Sequence, residues 1–214
     1  MGRLLIGAGL LGSTSTPESW PDFFRAHGSL GWDLLLAIPY GTFLFVTVAY
    51  AIWLYVRDHT SLLRFGWSFL AVNLAGYLTY HLFPAAPPWY VALHGLGPAK
   101  MDVMANPAGC LRFDRLLGTT FFTGMYGRSA DVFGAIPSLH VAYPFQAVLY
   151  SFWFSRARLF SVAFYLTMCF SAVYLNHHYL LDILSGTAYA LIVTLVVDAQ
   201  FRKKADRSAA ITLN

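Results

Sequence analysis

The chain has 214 residues, of which 57% are hydrophobic, 17% aromatic and only 11% charged, with a mean hydropathy of +0.55. A soluble domain carries about 25% charged residues, so this composition excludes an ordinary soluble fold and indicates an integral membrane protein. The net charge of +4 is too small and too scattered for a nucleic-acid-binding surface, and cations that orient membrane helices account for it.

Residues 1–32 contain a short apolar piece, Leu4 to Leu11, then a Ser/Thr stretch and ESWPDFFRAHG. The apolar piece is too short to span a bilayer, so the region is expected to be an amino-terminal interfacial arm, a cleaved or re-entrant segment being the alternative. Spans are expected from about Asp33 to Val56 and from Leu62 to Phe83, each near the roughly 20 residues a crossing helix needs. The stretch 84–137 is rich in Pro, Gly and charge, which forbids a continuous helix and lipid exposure. It is expected to be a large outer loop carrying short helices. Three further spans are expected near His140–Phe154, Leu159–Tyr174 and Tyr179–Val197. Together they give an all-α membrane-embedded domain over 33–199 and a basic tail over 200–214. Cys110 lies in the loop and Cys169 in an apolar run, so neither a disulfide framework nor a metal pair is implied.

If the helices alternate, Arg57 and Arg64, then Arg156 and Arg158, then Arg202, Lys203, Lys204 and Arg207 fall on one side, the side expected to face the cytoplasm. The long loop then faces outward, together with His140, His178 and Asp182. His178 and Asp182 are four residues apart, which puts them on one helical face. There a carboxylate can take the proton of one imidazole nitrogen and leave the other free as nucleophile or base. A capping or packing pair in the first turn of the last span is the alternative. Pro137-Ser138-Leu139-His140 opens the third span, where backbone N–H groups and the Ser138 hydroxyl offer an anion site overhung by His140. The alternative there is an ordinary helix start with His140 reaching to the interface. Both halves on one membrane face argue for phosphoryl transfer.

PSLH followed by HHYLLD resembles two signature motifs of the type-2 phosphatidic acid phosphatase superfamily, membrane enzymes that act through a phosphohistidine. LFPAAPPWY, NPAGCLRFDRLLGT, VFGAIPSLH and YLNHHYLLD, in that order, resemble its inositol phosphorylceramide synthase branch. The resemblance implies a core of six helices where five are legible, so the first is missing or replaced by the arm. Leu139 stands where the phosphatase pattern has Gly, and Ala172 where it has Arg. Its Lys-to-Arg-Pro motif does not occur in this chain. Fewer cations suit a singly charged phosphodiester better than a monoester.

The resemblance implies that His178, oriented by Asp182, attacks the phosphorus of a phospholipid donor such as phosphatidylinositol, and that His140 protonates the leaving alcohol. A lipid alcohol such as ceramide then takes the head group. Ser138 and Arg112 are expected to hold phosphate oxygens; Arg112 is chosen because it falls in the PAGCLRFD motif. Its ring direction on a helix separates His177 from His178 by about 100°, so His177 is expected to support the site or face the substrate. Asn176, Tyr174, Trp89, Tyr90 and Tyr126 could line a polyol pocket, with interfacial anchoring as the default. No cofactor is expected, and no cluster of carboxylates suggests a metal. The expected activity is thus a metal-independent lipid phosphotransferase. A phosphatase of the same superfamily is the alternative, and a non-enzymatic membrane scaffold is a third class that leaves the converging residues unexplained. A bacterial inner membrane with a periplasmic site is expected, or else a lumenal site in a eukaryotic cell.

Overall fold

In the computed structural model the described residues are 19–129, 131–154 and 157–212. Their regular structure is all α-helical, with no strand and an isolated parallel bridge between Ala85 and Gly134. The first part of the expected interfacial arm, residues 1–18, lies outside the described residues. The rest forms α1 (Trp20–Ala26), which begins where the Ser19 hydroxyl accepts the Asp22 N–H. Phe24 of α1 rests on Phe170 and Tyr174, so this short helix is docked on the bundle.

Two long helices follow as a hairpin, α2 (Leu30–Arg57) and α3 (His59–Leu82). Asp58 turns the chain between them, its carboxylate accepting the N–H groups of Thr60 and Ser61 at the start of α3, the usual remedy for unpaired donors at a helix start. Between α3 and the next long helix lie α4 (Pro88–His94), α5 (Cys110–Leu117) and α6 (Phe121–Tyr126). The Asp114 carboxylate fastens α5 to α6 by accepting the N–H groups of Phe122 and Thr123. Then come α7 (Leu139–Phe154), α8 (Arg158–Tyr174) and α9 (Leu180–Thr212). Residues 200–212 of the basic tail continue α9 as helix.

α7 is the centre of the bundle and packs against α2, α3, α8 and α9. Polar side chains sit inside: Ser68 meets the Tyr150 hydroxyl at 2.9 Å, and Gln146 donates to Thr194 at 3.2 Å. Large apolar side chains such as Phe45, Leu159 and Ile192 point outward. In water that distribution would be costly, whereas against lipid it lets polar groups satisfy one another and leaves the exterior apolar. α2, with 28 residues, and the Leu180–Ser208 part of α9, with 29, are each long and apolar enough to cross a membrane; at 1.5 Å per residue α2 reaches about 42 Å. α8 is apolar but has only 17 residues.

Charge in α9 lies in its first turn and again from Asp198 onward. Asp198 accepts from Arg64 of α3 at 2.7 Å and from Arg202 at 2.6 Å. Asp182 lies about 24 Å along the helix from Asp198, beside the histidines. Arg156, one of the cations used to orient the chain, lies outside the described residues.

Candidate active site

The motifs around His140 and His178 meet at the end of the bundle away from Arg64. α8 ends at Tyr174, and Asn176 takes a left-handed conformation (φ 64°) that reverses the chain. The N–H groups of His177 and His178 then both donate to the Ala172 carbonyl. Position 172 is wholly buried, and its backbone oxygen forms this turn. His178 therefore precedes α9 instead of lying on it, which corrects the expectation of a shared helical face. The pairing with Asp182 survives because the carboxylate folds back to cap the helix start: Oδ2 accepts the Tyr179 N–H at 2.8 Å and lies 3.4 Å from His178 Nδ1.

A closer partner holds His178. Its Nδ1 is 3.1 Å from the Ala135 carbonyl oxygen. Carbonyl and carboxylate both accept, so Nδ1 carries the proton and Nε2 presents its lone pair. The Ala135 segment is itself fixed, since the Ala85 N–H donates to the Phe133 carbonyl and the Ala135 N–H to the Ala85 carbonyl. LFPAAPPWY and VFGAIPSLH thus join through backbone, and together they orient the imidazole of the third motif.

The rings of His140 and His178 have centroids 5.6 Å apart. Both line a cavity of about 270 Å³, which His177, Tyr40, Tyr126 and Trp89 also line. Tyr40 of α2 stacks on His140 (4.6 Å, 10°) and on His177 (5.0 Å, 15°), and Tyr126 stacks on His177 (4.7 Å, 11°). His177 Nε2 faces the Pro107 carbonyl at 3.2 Å and the Cys110 sulfur at 3.6 Å. Burial pushes the His177 pKa down to about 3, so the ring is neutral with Nε2 donating. Burial also pushes the Cys110 thiol up, keeping it protonated. The turn brings the His177 and His178 rings to one cavity, where His177 was expected to support the site or face the substrate.

Other expected residues are placed elsewhere. The Ser138 N–H, expected to meet an anion, donates to the Asp182 carbonyl at 3.0 Å. The Ser138 hydroxyl is buried without a partner and away from the cavity lining. Asn176 uses its amide nitrogen on the Tyr174 carbonyl and its backbone carbonyl on the Trp89 N–H, so it shapes the turn. Arg112, expected at the phosphate, donates from Nε to Asp33 at 2.8 Å and lies over the Tyr174 ring. The buried Asp33 carboxylate, which also accepts from the Tyr174 hydroxyl, holds the guanidinium off the cavity. Tyr90 is likewise occupied, accepting the Lys100 N–H. Among the described residues, no lysine or arginine lines the cavity and no group of three or more His, Cys, Asp or Glu is placed to hold a metal ion. Sequence reasoning passed over Tyr40 and the Ala135 carbonyl. One is a tyrosine within an apolar run and the other a backbone atom, and neither carries a sequence signal.

The chain is 36% identical over 176 residues to a phosphoinositol dihydroceramide synthase of Bacteroides thetaiotaomicron, covering 80% of this chain and 57% of that protein. It is 40% identical over 164 residues to an inositol phosphorylceramide synthase of Candida albicans, covering 75% and 35%. An inositol phosphorylceramide synthase catalytic subunit of Schizosaccharomyces pombe is 34% identical over 164 residues, covering 75% and 39%. The chain thus matches about a third to just over half of the length of these relatives. No solved structure gives a significant match. The sequence profile of the PAP2 superfamily matches residues 15–196, nearly the whole of the bundle and its histidine cavity, and the chain belongs to that superfamily.

Proposed function

We propose that the chain is a membrane lipid phosphotransferase that moves phosphoinositol from phosphatidylinositol to a lipid alcohol such as ceramide, through a phosphohistidine on His178. The observation that carries this reading is the placement of His140 and His178 on one cavity wall, 5.6 Å apart, with His178 Nδ1 committed to the Ala135 carbonyl. Similarity to enzymes named as inositol phosphorylceramide synthases supplies the head group and the acceptor class.

In the first step His178 Nε2 attacks phosphorus, and the bond to the diacylglycerol oxygen breaks. His140, as imidazolium, gives its proton to that oxygen, so diacylglycerol leaves neutral. Positive charge building on the His178 ring is stabilised through Nδ1 by the Ala135 carbonyl and the Asp182 carboxylate. In the second step His140, now neutral, takes the proton of the acceptor hydroxyl as its oxygen attacks phosphorus and the P–N bond breaks. Both histidines return to their starting states.

The membrane arrangement belongs to the same proposal. It comprises five spans over 33–199, an interfacial arm over 1–32, an outer loop over 84–137 and a cytoplasmic tail over 200–214. The site then faces the periplasm, or a lumen. The arginine cluster at Asp198, about 24 Å along α9 from Asp182, supports that orientation.

The test is to incubate the purified chain in detergent with phosphatidylinositol labelled in its head group, with and without ceramide or another lipid alcohol. Label is expected in a new lipid only when an alcohol is present, with loss of transfer in His140→Ala and His178→Ala. Label released as a water-soluble phosphate regardless of acceptor would make the chain a hydrolase, and full activity in His178→Ala would end the phosphohistidine reading.

A further inference from the structure

A phosphodiester entering this cavity brings a negative charge, and at the transition state the equatorial oxygens of the phosphoryl group need hydrogen-bond donors. Enzymes usually supply arginine or lysine there. Among the described residues none lines the cavity, Arg112 is engaged by Asp33, and the Ser138 N–H is spent on the Asp182 carbonyl. The donors must come from other side chains of the wall.

Five tyrosines line the cavity: Tyr40, Tyr77, Tyr80, Tyr126 and Tyr143. Tyr80 donates its proton to the Pro137 carbonyl at 2.8 Å and Tyr143 to Asn73 Oδ1 at 2.6 Å. Tyr77 is more than half exposed. Tyr40 and Tyr126 differ from all three: their hydroxyl oxygens are buried, and although the two are neighbours, neither makes a hydrogen bond of normal geometry with the other or with any other group. Burying a hydroxyl without a partner costs roughly 1–3 kcal/mol, and two such hydroxyls here border the cavity that holds both reacting histidines.

The ring stack fixes their positions. Tyr40 and Tyr126 each stack on His177, nearly parallel to it. Both phenols line the cavity and their hydroxyls are neighbours, so the stack presents the two hydroxyls as a pair. His177 is pinned in turn by the Pro107 carbonyl, which makes it a spacer. This gives NPAG and the first histidine of HHY a physical role in the site that needs no contact with substrate.

We propose that the Tyr40 and Tyr126 hydroxyls are the hydrogen-bond donors to the non-bridging oxygens of the transferring phosphoryl group, taking the place of cations in this cavity. The inference rests on the phosphotransfer reading above. Neutral donors suit a singly charged diester, and they leave the phosphorus less shielded from the incoming nucleophile than a tight ion pair would.

Tyr40→Phe and Tyr126→Phe test the idea, since each keeps the ring and its stack and removes only the hydroxyl. Measured on the full chain with phosphatidylinositol and ceramide, kcat is expected to fall about 100-fold in each variant, the lower end of the range for loss of one oxyanion donor. The melting temperature should hold or rise, because an unpartnered hydroxyl has been removed. Unchanged kcat would overturn the proposal. So would a rise in KM for phosphatidylinositol with kcat intact, which puts the hydroxyls on the polyol ring, or a melting temperature that falls in step with activity. The wild-type chain separates the two levels of inference. Wild-type transfer with unaffected Phe variants removes this proposal alone, whereas wild-type hydrolysis removes the transferase reading and leaves the same variants to be scored on hydrolysis. A wild-type chain that turns over neither substrate pair overturns both.

Discussion

Gly186 of α9 lies against the backbone of Ser138 at the entry to α7, so closely that a Cβ at position 186 would overlap the Ser138 carbonyl oxygen. The Ser138 N–H donates to the Asp182 carbonyl one turn earlier. The entry to α7, next to His140, and the first turns of α9, just after His178, therefore touch backbone to backbone at the site, and only a residue without a side chain permits it.

Gly186→Ala should push α7 and α9 apart. Overpacking at a backbone contact costs roughly 1–3 kcal/mol, so the melting temperature is expected to drop. Activity should drop further than stability explains, because the His140 to His178 spacing changes. Thermal unfolding and transfer assays on the same preparation check this, and an active Gly186→Ala chain would show that the spacing is not critical.

Asp182→Asn separates the two acceptors on His178 Nδ1. Where a carboxylate alone sets the tautomer, its loss costs about 10⁴-fold. Here the Ala135 carbonyl is the nearer acceptor and keeps the proton on Nδ1, so a fall in kcat of only about 10- to 100-fold is expected. His178→Ala should be inactive beside it. Equal inactivity of the two variants would assign the orientation to the carboxylate.

Arg112→Ala is expected to destabilise without raising KM for phosphatidylinositol. It leaves the buried Asp33 carboxylate with the Tyr174 hydroxyl and without its cation, a loss of roughly 3 kcal/mol for a buried pair. Removing the charge as well, in Asp33→Asn with Arg112→Ala, should recover part of the melting temperature. A large KM effect with normal stability would return Arg112 to the phosphate.

His177 gives the protein a pH dependence of known sign. Its pKa is about 3 when folded and near 6.5 when unfolded, so the unfolded chain binds the proton first. The stability it contributes is fully present above pH 6.5 and is lost progressively as pH falls toward 3. Melting temperature should therefore decline between pH 7 and 5, and His177→Gln should show a shallower decline over the same range.

Much of this arrangement was legible in the chain. Helices cover each stretch read as a span, and His140, His178 and Asp182 meet because a histidine opening one apolar run and a His-x-x-x-Asp opening another must converge when the runs pack. The roles of Arg112 and Ser138 were not legible, because each depends on which of several acceptors lies nearest in space. A cation in a matching motif says nothing of Asp33, which is 79 positions away. The turn at Asn176 also escaped notice, since YLNHHYLL continues an apolar pattern through a left-handed residue. Tyr40 was hidden for a simpler reason: within α2 it is one aromatic among many, and only the fold places its ring against two histidines.

The hold of Ala135 on His178 has a consequence for how such proteins can vary. The atom that orients the imidazole is a main-chain oxygen, present whatever residue occupies position 135. Sequence drift there can alter bulk, and burial at 3% exposure restricts that bulk, but it cannot delete the acceptor. Mutational scanning of this position would report a packing site and miss the contact entirely. To disturb it, one must move the peptide, and that means editing the neighbouring Phe133 to Ala85 bridge or replacing the amide itself with an ester.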